Sequence, residues 1–533
     1  MDQIALRGGL VADGTGAETR RLDVGVADGR ITSVAPTVRA DHEIGVDGLI
    51  VAPGFIDLHS HADFTVQGWP GADTQLAQGV TTLVTGNCGF SPYPVPADGR
   101  LQRATEFLGP ELDWSWTDAD GFATAVDAAS PAVNLIHQLG HCSLRVAIMG
   151  QDERPPSGAE LAAMHRAIGE AGAAGAYGFS TGLIYAPGTY ADNDEVIALL
   201  RTAAEVGMIH STHIRNEGGG LLEAVGEALR GAELTGVGLE ISHLKSIGPA
   251  HHGKVGDALV MIDEAVARGV DVQSDVYPYT ASSTSLMSRL PSWALDGGPQ
   301  AMQARLGSAE QRTRIAAEVA ENVGRSFTFE GTVLSSICPG PYAHHSGRSL
   351  AQIAAQEDKS GLGVMLDVLA AHGAGVSMVN HAMAAEDVAT VLAHPLVSVA
   401  SDGWILRPEP AADGSEGTPH PRSFGTFARV LQHYVRETAL LSLEQAVHKM
   451  TGLPARRLGL DVEPVPRGVI APGAAADLTC FDPDTVAERA TYENPWQLAT
   501  GTEVVLVNGE LVLNDGRVTG RSGGRMLRRG LPG

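Results

Sequence analysis

The sequence predicts an α/β chain: a (β/α)8 TIM-like barrel, a small β-sandwich domain formed from both termini, and a subdomain inserted into the barrel. Three observations predict it. The middle of the chain alternates eight strand-like runs with helical segments. Both ends read as short strands joined by tight turns, and neither end alone offers enough sheet to bury an apolar face. Residues of metal-ligand type recur where the central strands end, the face on which such barrels keep their chemistry.

The N-terminal strands are 4–6, 23–26 and 31–34, with Asp28-Gly29 as a hairpin turn between the last two. The C-terminal strands are 476–481, 503–507 and 510–513, with turns at Asn508-Gly509 and Asp515-Gly516. The sandwich is therefore expected from residues 1–53 plus 463–533, and the barrel from 54–462.

The barrel opens at Gly54 to Phe64, GFIDLHSHADF, an apolar run that ends in His59-Ser60-His61. Alternation in a strand sets residues i and i+2 on one side, so both imidazoles point the same way. The second run, 81–85, ends at Gly86-Asn87-Cys88, and the third, 133–139, at Gly140-His141. A helix over 160–171 follows, with Leu161, Met164 and Ile168 at helical spacing. The fourth run is 176–180. The fifth, 208–212, ends at His213 and precedes a helix over 220–234. The sixth, 238–242, ends at His243, the seventh, 270–276, runs into Tyr277, and the last, 396–400, ends at Ser401-Asp402. The chain from 280 to about 375 is too long for one crossover, so an inserted subdomain or lid is placed there, at 284–345.

Bulk properties narrow the function. The chain has 533 residues, 44% of them hydrophobic and 19% charged, as a globular enzyme would. Thirty-seven basic against 62 acidic residues leave a net charge of −25, which argues against nucleic-acid and anionic-membrane partners. Four scattered cysteines make no disulfide framework. The start, MDQIALRGG, lacks a basic-then-apolar leader, and no uncharged apolar run reaches the ~18 residues of a membrane span. A cytoplasmic protein is expected.

His59, His61, Cys88, His213, His243 and Asp402 thus occupy five strand ends of one barrel. One such residue means little, but a thiolate, imidazoles and a carboxylate converging together suit Zn²⁺, a borderline-soft ion.

The details are specific enough to point to a family. A terminal sandwich with His-x-His on the first barrel strand resembles the amidohydrolase superfamily. Two-metal members usually carry a carboxylated lysine on the fourth strand; this chain has Phe179-Ser180-Thr181 there and Gly86-Asn87-Cys88-Gly89 after the second. With SHLKS (242–246), STGLIYAPG (180–188), DVYPYTASSTSL (275–286), SDG (401–403) and HPRSFGTFARVL (420–431), it resembles the N-acyl-D-amino-acid deacylases, or D-aminoacylases, over nearly its whole length.

That resemblance implies one tightly held zinc on Cys88, His213 and His243, the thiolate standing in for the bridging carbamate. His59 and His61, with Cys88 and Asp402, would form a second, weak site. Asp402 would be the general acid/base, taking a proton from the attacking water and passing it to the leaving amine. Lys245, Arg422, Tyr277 and Ser283 would grip the substrate's α-carboxylate, with Tyr185 near the reacting carbonyl. The implied reaction is hydrolysis of N-acyl-D-amino acids to a carboxylate and a free D-amino acid. Arg289 follows Ser283 closely and would favour an acidic side chain such as D-glutamate, unless it is a solvated surface arginine. His141 and His381 are read as structural.

Alternatives with the same site are cleavage of D-configured dipeptides or of another N-acyl group, and strict N-acyl-D-glutamate specificity; a different enzyme would be a cyclic-amide hydrolase such as a hydantoinase or dihydroorotase, which usually carries the missing lysine. A metal-free scaffold is the non-enzymatic alternative, and it would purify without stoichiometric zinc.

Overall fold

Eight parallel strands follow one another around the centre of the molecule in chain order. They are β1 (Phe55–Asp57), β2 (Val80–Thr85), β3 (Asn134–Gly140), β4 (Gly178–Gly182), β5 (Ile209–His213), β6 (Leu239–Ile241), β7 (Val272–Val276) and β8 (Val397–Val399). This computed structural model describes residues 2–530 except 110–111, 412–415 and 463. All residues of β2 and β3 are buried, as expected of strands covered on both faces.

The sheet closes just beyond the ends of β1 and β8. Ser60 and Gly403 form a parallel bridge, the Asp402 amide donates to the His59 carbonyl (2.8 Å), and the His61 amide donates to the Gly403 carbonyl (2.8 Å). The hydrogen bonds that complete the cylinder therefore lie among candidate ligands.

Helices pack outside. Gly158–Ala173 starts at a capping box, Ser157 and Glu160 each accepting from the other's backbone amide, and buries Met164, Ile168 and Ala171. Leu221–Thr235 and Lys254–Ala267 bury the corresponding stripes over β5 to β7. Among the described residues no helix is long and apolar enough to cross a membrane.

The termini meet in two packed sheets. One is four-stranded and wholly N-terminal; the other, seven-stranded, pairs Leu478–Phe481 antiparallel with Ile50–Pro53. Leu6, Val24, Val51, Leu478 and Leu506 fill the space between them. Asn508 (φ 49°) and Gly509 (φ 81°) make the tight turn between Thr502–Val507 and Glu510–Asn514, both in the left-handed region that such a hairpin demands.

Two features depart from the sequence reading. The inserted unit does not stop at 345. Its antiparallel sheet runs Ala281–Ser285, Val376–His381, Thr332–Ile337, with the segment nearest the C-terminus in the middle. The helices Pro299–Gly307, Ala309–Ala320, Leu350–Glu357 and Gly361–His372 belong to it, around a core that includes Met302, Leu334 and Leu369. The tail beyond the last sandwich strand (Arg517–Val518) also leaves that domain. It runs along the barrel, where Leu135 donates to Arg525 (2.9 Å) and Leu527 to Leu135 (2.7 Å). The expected boundary at 463 lies outside the described residues.

Candidate metal centre and active site

The six ligand-type residues sit at one end of the cylinder, the C-terminal end of its strands. Cys88, His243 and Asp402 all have left-handed backbones (φ 53°, 38° and 51°). For residues with a Cβ this conformation is sparsely populated, and such strain gathers at functional sites. Here it turns each chain sharply as it leaves its strand. Gly86 makes the turn before Cys88 possible: at φ 79°, a Cβ would lie 2.2 Å from the Gln138 carbonyl oxygen.

Cys88 is the hub. Its Sγ lies 3.3 Å from His59 Nε2, 3.4 Å from His243 Nε2 and 3.5 Å from His213 Nδ1. Asp402 Oδ1 is 3.4 Å from His59 Nε2 and 3.0 Å from His61 Nε2. One ligand atom from each of His59, Cys88, His243 and Asp402 fits within a 4.8 Å span. The residues arrive from β1, β2, β5, β6 and β8, and all are buried.

The electrostatics suit a cation. Burial, then the Asp402 carboxylate, pushes the Cys88 thiol well up, so its thiolate calls for a positive neighbour. Burial holds His59 well below its ordinary value and His243 at about 3, so both are neutral imidazoles with lone pairs to give. Burial alone would raise Asp402, but Arg422, whose Nη1 is 2.7 Å from its Oδ2, and the His59 and His61 rings hold its carboxyl well below the usual carboxylate range.

Behind the ligands stand carboxylates that the sequence reading passed over. Glu217 Oε1 lies 2.5 Å from Lys245 Nζ, 3.3 Å from His213 Nε2 and 3.4 Å from His243 Nδ1. These are the nitrogens that face away from Cys88, so Glu217 can fix both ring orientations. Asp275 accepts from the His243 amide (2.7 Å) and lies 3.6 Å from His59 Nδ1. Asp57 accepts from the Ser401 amide (2.9 Å) and hydroxyl, tying β1 to β8 beneath the site. Glu217 carried a signal: it stands four residues past His213 in HIRNE.

The expected substrate residues fall into two groups. Tyr185, Ser283 and Arg422 line a cavity of about 890 Å³ together with His61, Cys88, His243 and Asp402. Arg422 Nη2 also donates to the Ser283 carbonyl (3.2 Å). Tyr185 packs its ring 4.8 Å from His213 and accepts from the Thr284 hydroxyl (3.0 Å). Lys245 and Tyr277 are set further back. Lys245 Nζ turns to Glu217, 5.5 Å from the centre of the Tyr277 ring, and the Arg422 guanidinium sits 5.1 Å from the same ring centre.

Arg289 is not a solvated surface arginine. Its guanidinium stacks 5.4 Å over Phe327, and its buried Nε has no hydrogen-bond partner among the described residues. Burial lowers its pKa to about 10, which leaves it charged at neutral pH. His141 is apart from the site, 2.9 Å from Glu195, which also meets Arg145. His381 ends the middle strand of the inserted sheet, against Tyr492 (4.6 Å between rings).

The Amidohydrolase family matches residues 43–513 of this chain. The N-acyl-D-glutamate deacylase of Alcaligenes xylosoxydans xylosoxydans is 37% identical over 528 residues, covering 99% of this chain and 96% of its own. A crystal structure of N-acyl-D-glutamate deacylase from Bordetella bronchiseptica, with zinc and a phosphonate mimic of the tetrahedral intermediate, superposes with a TM-score of 0.82 at 37% identity. It covers 99% of both chains. A D-aminoacylase with a binuclear metal centre, one metal activating and the second attenuating, superposes at 0.84 and 35% identity, over 99% of this chain and 100% of that one. The strand-end ligands, the cysteine in place of a strand-four lysine and these full-length likenesses agree: the chain is an enzyme of the amidohydrolase family, in its N-acyl-D-amino-acid deacylase (D-aminoacylase) group.

Proposed function

We propose that the protein hydrolyses the amide bond of N-acyl-D-amino acids in a zinc-dependent reaction, releasing a carboxylate and a free D-amino acid. The observation that carries this reading is the Cys88 sulfur within 3.5 Å of three imidazole nitrogens, with the Asp402 carboxylate beside them and an arginine at the cavity wall.

The donor set fits zinc, which favours thiolate and neutral imidazole. Cys88, His213 and His243 would hold the tight ion. His59 and His61, with Cys88 and Asp402, would make a second, weaker site. The ion supplies Lewis acidity, which activates water near neutral pH and stabilises negative charge on the amide oxygen.

Asp402 is the group that moves protons. It is ionised at neutral pH, held so by Arg422 and the His59 and His61 rings, and its Oδ1 faces the ligand cluster. It takes the proton of the attacking water and delivers it to the amide nitrogen, without which the amine leaves poorly. Tyr185, kept protonated by burial, offers a hydroxyl towards the carbonyl. Arg422 provides a forked donor for the α-carboxylate, with Ser283 beside it and Lys245 and Tyr277 behind. Two anchored substituents, amide and carboxylate, fix the direction of the third, and this selects one hand at Cα.

Arg289 favours an acidic D side chain such as D-glutamate. A cation with an unsatisfied buried Nε beside the cavity lacks a counter-charge that a side-chain carboxylate would supply. The test is a screen of N-acetyl-D- and N-acetyl-L-amino acids with purified, zinc-loaded enzyme. Turnover confined to D-substrates, with D-glutamate or D-aspartate leading, supports both readings. Turnover of L-substrates alone refutes the first, and a lead for apolar D side chains refutes the second.

A further inference from the structure

The proposed reaction leaves most of the cavity's wall without a role. At about 890 Å³ the cavity lies near the top of the roughly 300–1,000 Å³ range that holds drug-sized ligands. An N-acetyl amino acid is smaller than such a ligand. The cavity is also polarised. Arg422 and Ser283 line part of its wall, and Arg289 stands in the chain between the lining residues Ser288 and Leu290, near enough to Tyr185 and Glu217 for their charges to bear on it.

Another part is aromatic and aliphatic: Trp69, Phe90, Leu108, Trp404 and Leu406. These residues belong to the loops after β1, β2 and β8, so they stand beside the ligands themselves. Trp404 follows Asp402 by two residues and sets its ring 5.2 Å from His61. Phe90 follows Cys88 by two and packs 6.0 Å from Tyr185. Trp69 is held under the Arg407 guanidinium, 4.6 Å away. Trp69, Leu108, Trp404 and Leu406 are only half-buried, so apolar surface faces the cavity.

An N-acyl-D-amino acid has three groups to place around its amide. The α-carboxylate belongs with Arg422, and an acidic side chain with Arg289. The acyl group is what remains, and of the lining the apolar residues beside the ligands are the ones that suit it. We propose that this enzyme takes substrates with a long apolar acyl chain, of medium-chain fatty-acyl type, laid along Trp69, Leu108, Trp404 and Leu406. Burying methylenes there lowers the free energy of the bound substrate and of the transition state alike.

The inference rests on the deacylase reading above, and one experiment separates the two. The zinc-loaded enzyme is assayed with N-acetyl- and N-octanoyl-D-glutamate, and with the matching D-leucine pair. The octanoyl substrate should show kcat/KM at least about tenfold higher, chiefly through KM, since even one methylene in an apolar pocket changes selectivity by about 10–200-fold. Trp69→Ala and Leu108→Ala, made separately, should each move the octanoyl/acetyl ratio towards one. A wild-type ratio of one or below overturns the inference while leaving the deacylase reading intact. So does a ratio that neither variant alters. No turnover of any of the four substrates overturns both.

Discussion

Replacing Glu217 by Gln removes one negative charge without changing the size of the side chain. Its Oε1 faces His213 Nε2 at 3.3 Å, His243 Nδ1 at 3.4 Å and Lys245 Nζ at 2.5 Å. The opposite nitrogens of both rings face Cys88 Sγ, at 3.5 and 3.4 Å. Rings that give those nitrogens to an ion carry hydrogens on the other side; Glu217 is the carboxylate within reach of both, while Lys245 Nζ, 2.8 Å from His243 Nδ1, shares that side of the second ring. Losing such a partner lowers metal affinity by about 10–100-fold. At about 1.4 kcal/mol per decade, that is about 1.4–2.8 kcal/mol. Lys245, also buried, loses its counter-ion, and breaking a buried pair from one side costs about 3–5 kcal/mol of stability. The assay is zinc competition against a chromophoric chelator, with thermal unfolding followed with and without zinc. The variant should bind zinc at least tenfold more weakly and gain less Tm from saturating metal. A zinc affinity within twofold of wild type would refute the reasoning.

Other outcomes follow from the same geometry. Asp402→Asn should lower kcat by about 10²–10⁴-fold while zinc stays bound; activity near wild type would reject its acid/base role. Cys88→Ala should strip the metal, and a full zinc complement measured in that variant would count against the thiolate ligand. Arg289→Met should cost about 10–100-fold in kcat/KM on N-acetyl-D-glutamate, the worth of one charged hydrogen bond, with little change on N-acetyl-D-leucine; equal losses on both would contradict the assignment. His137, outside the site, is buried against Tyr93 (2.8 Å), and burial lowers its pKa to about 3. Its stabilisation is fully present above the unfolded value of about 6.5 and is lost as pH falls from there towards 3, by up to about 5 kcal/mol. Tm should therefore drop across that window, and His137→Gln should flatten the drop; parallel curves would rule this group out as the cause.

Much of the barrel is legible because its signals are local. The seven residues of β3 form an unbroken buried run, and the stripe Met164, Ile168, Ala171 repeats at helical spacing. The ligand types are legible for the same reason, since each sits where a recognisable strand ends. Glu217 is less so: its place four residues past His213 is a local hint, but nothing local says that the chain also brings it to His243. The resemblance assigns Lys245 to the substrate carboxylate, and only the tertiary structure shows that its Nζ also meets Glu217, a partner 28 residues away. The inserted sheet shows a similar limit, since Val376–His381 sits centrally only through pairings with residues 39–48 and 92–100 positions upstream.

The sequence by itself determined the kind of fold, the sites of its turns and the chemical identity of the candidate ligands. Periodicity, Asx-Gly pairs and residue type depend only on near neighbours along the chain. Tertiary structure alone decided that the sulfur of Cys88 lies within 3.5 Å of a ring 125 residues further on, which lone pair each imidazole presents, and where the cavity keeps its charge and its tryptophans. Those distances arise when β1 and β8 meet and close the cylinder, a contact between residues more than 340 positions apart that no local pattern encodes.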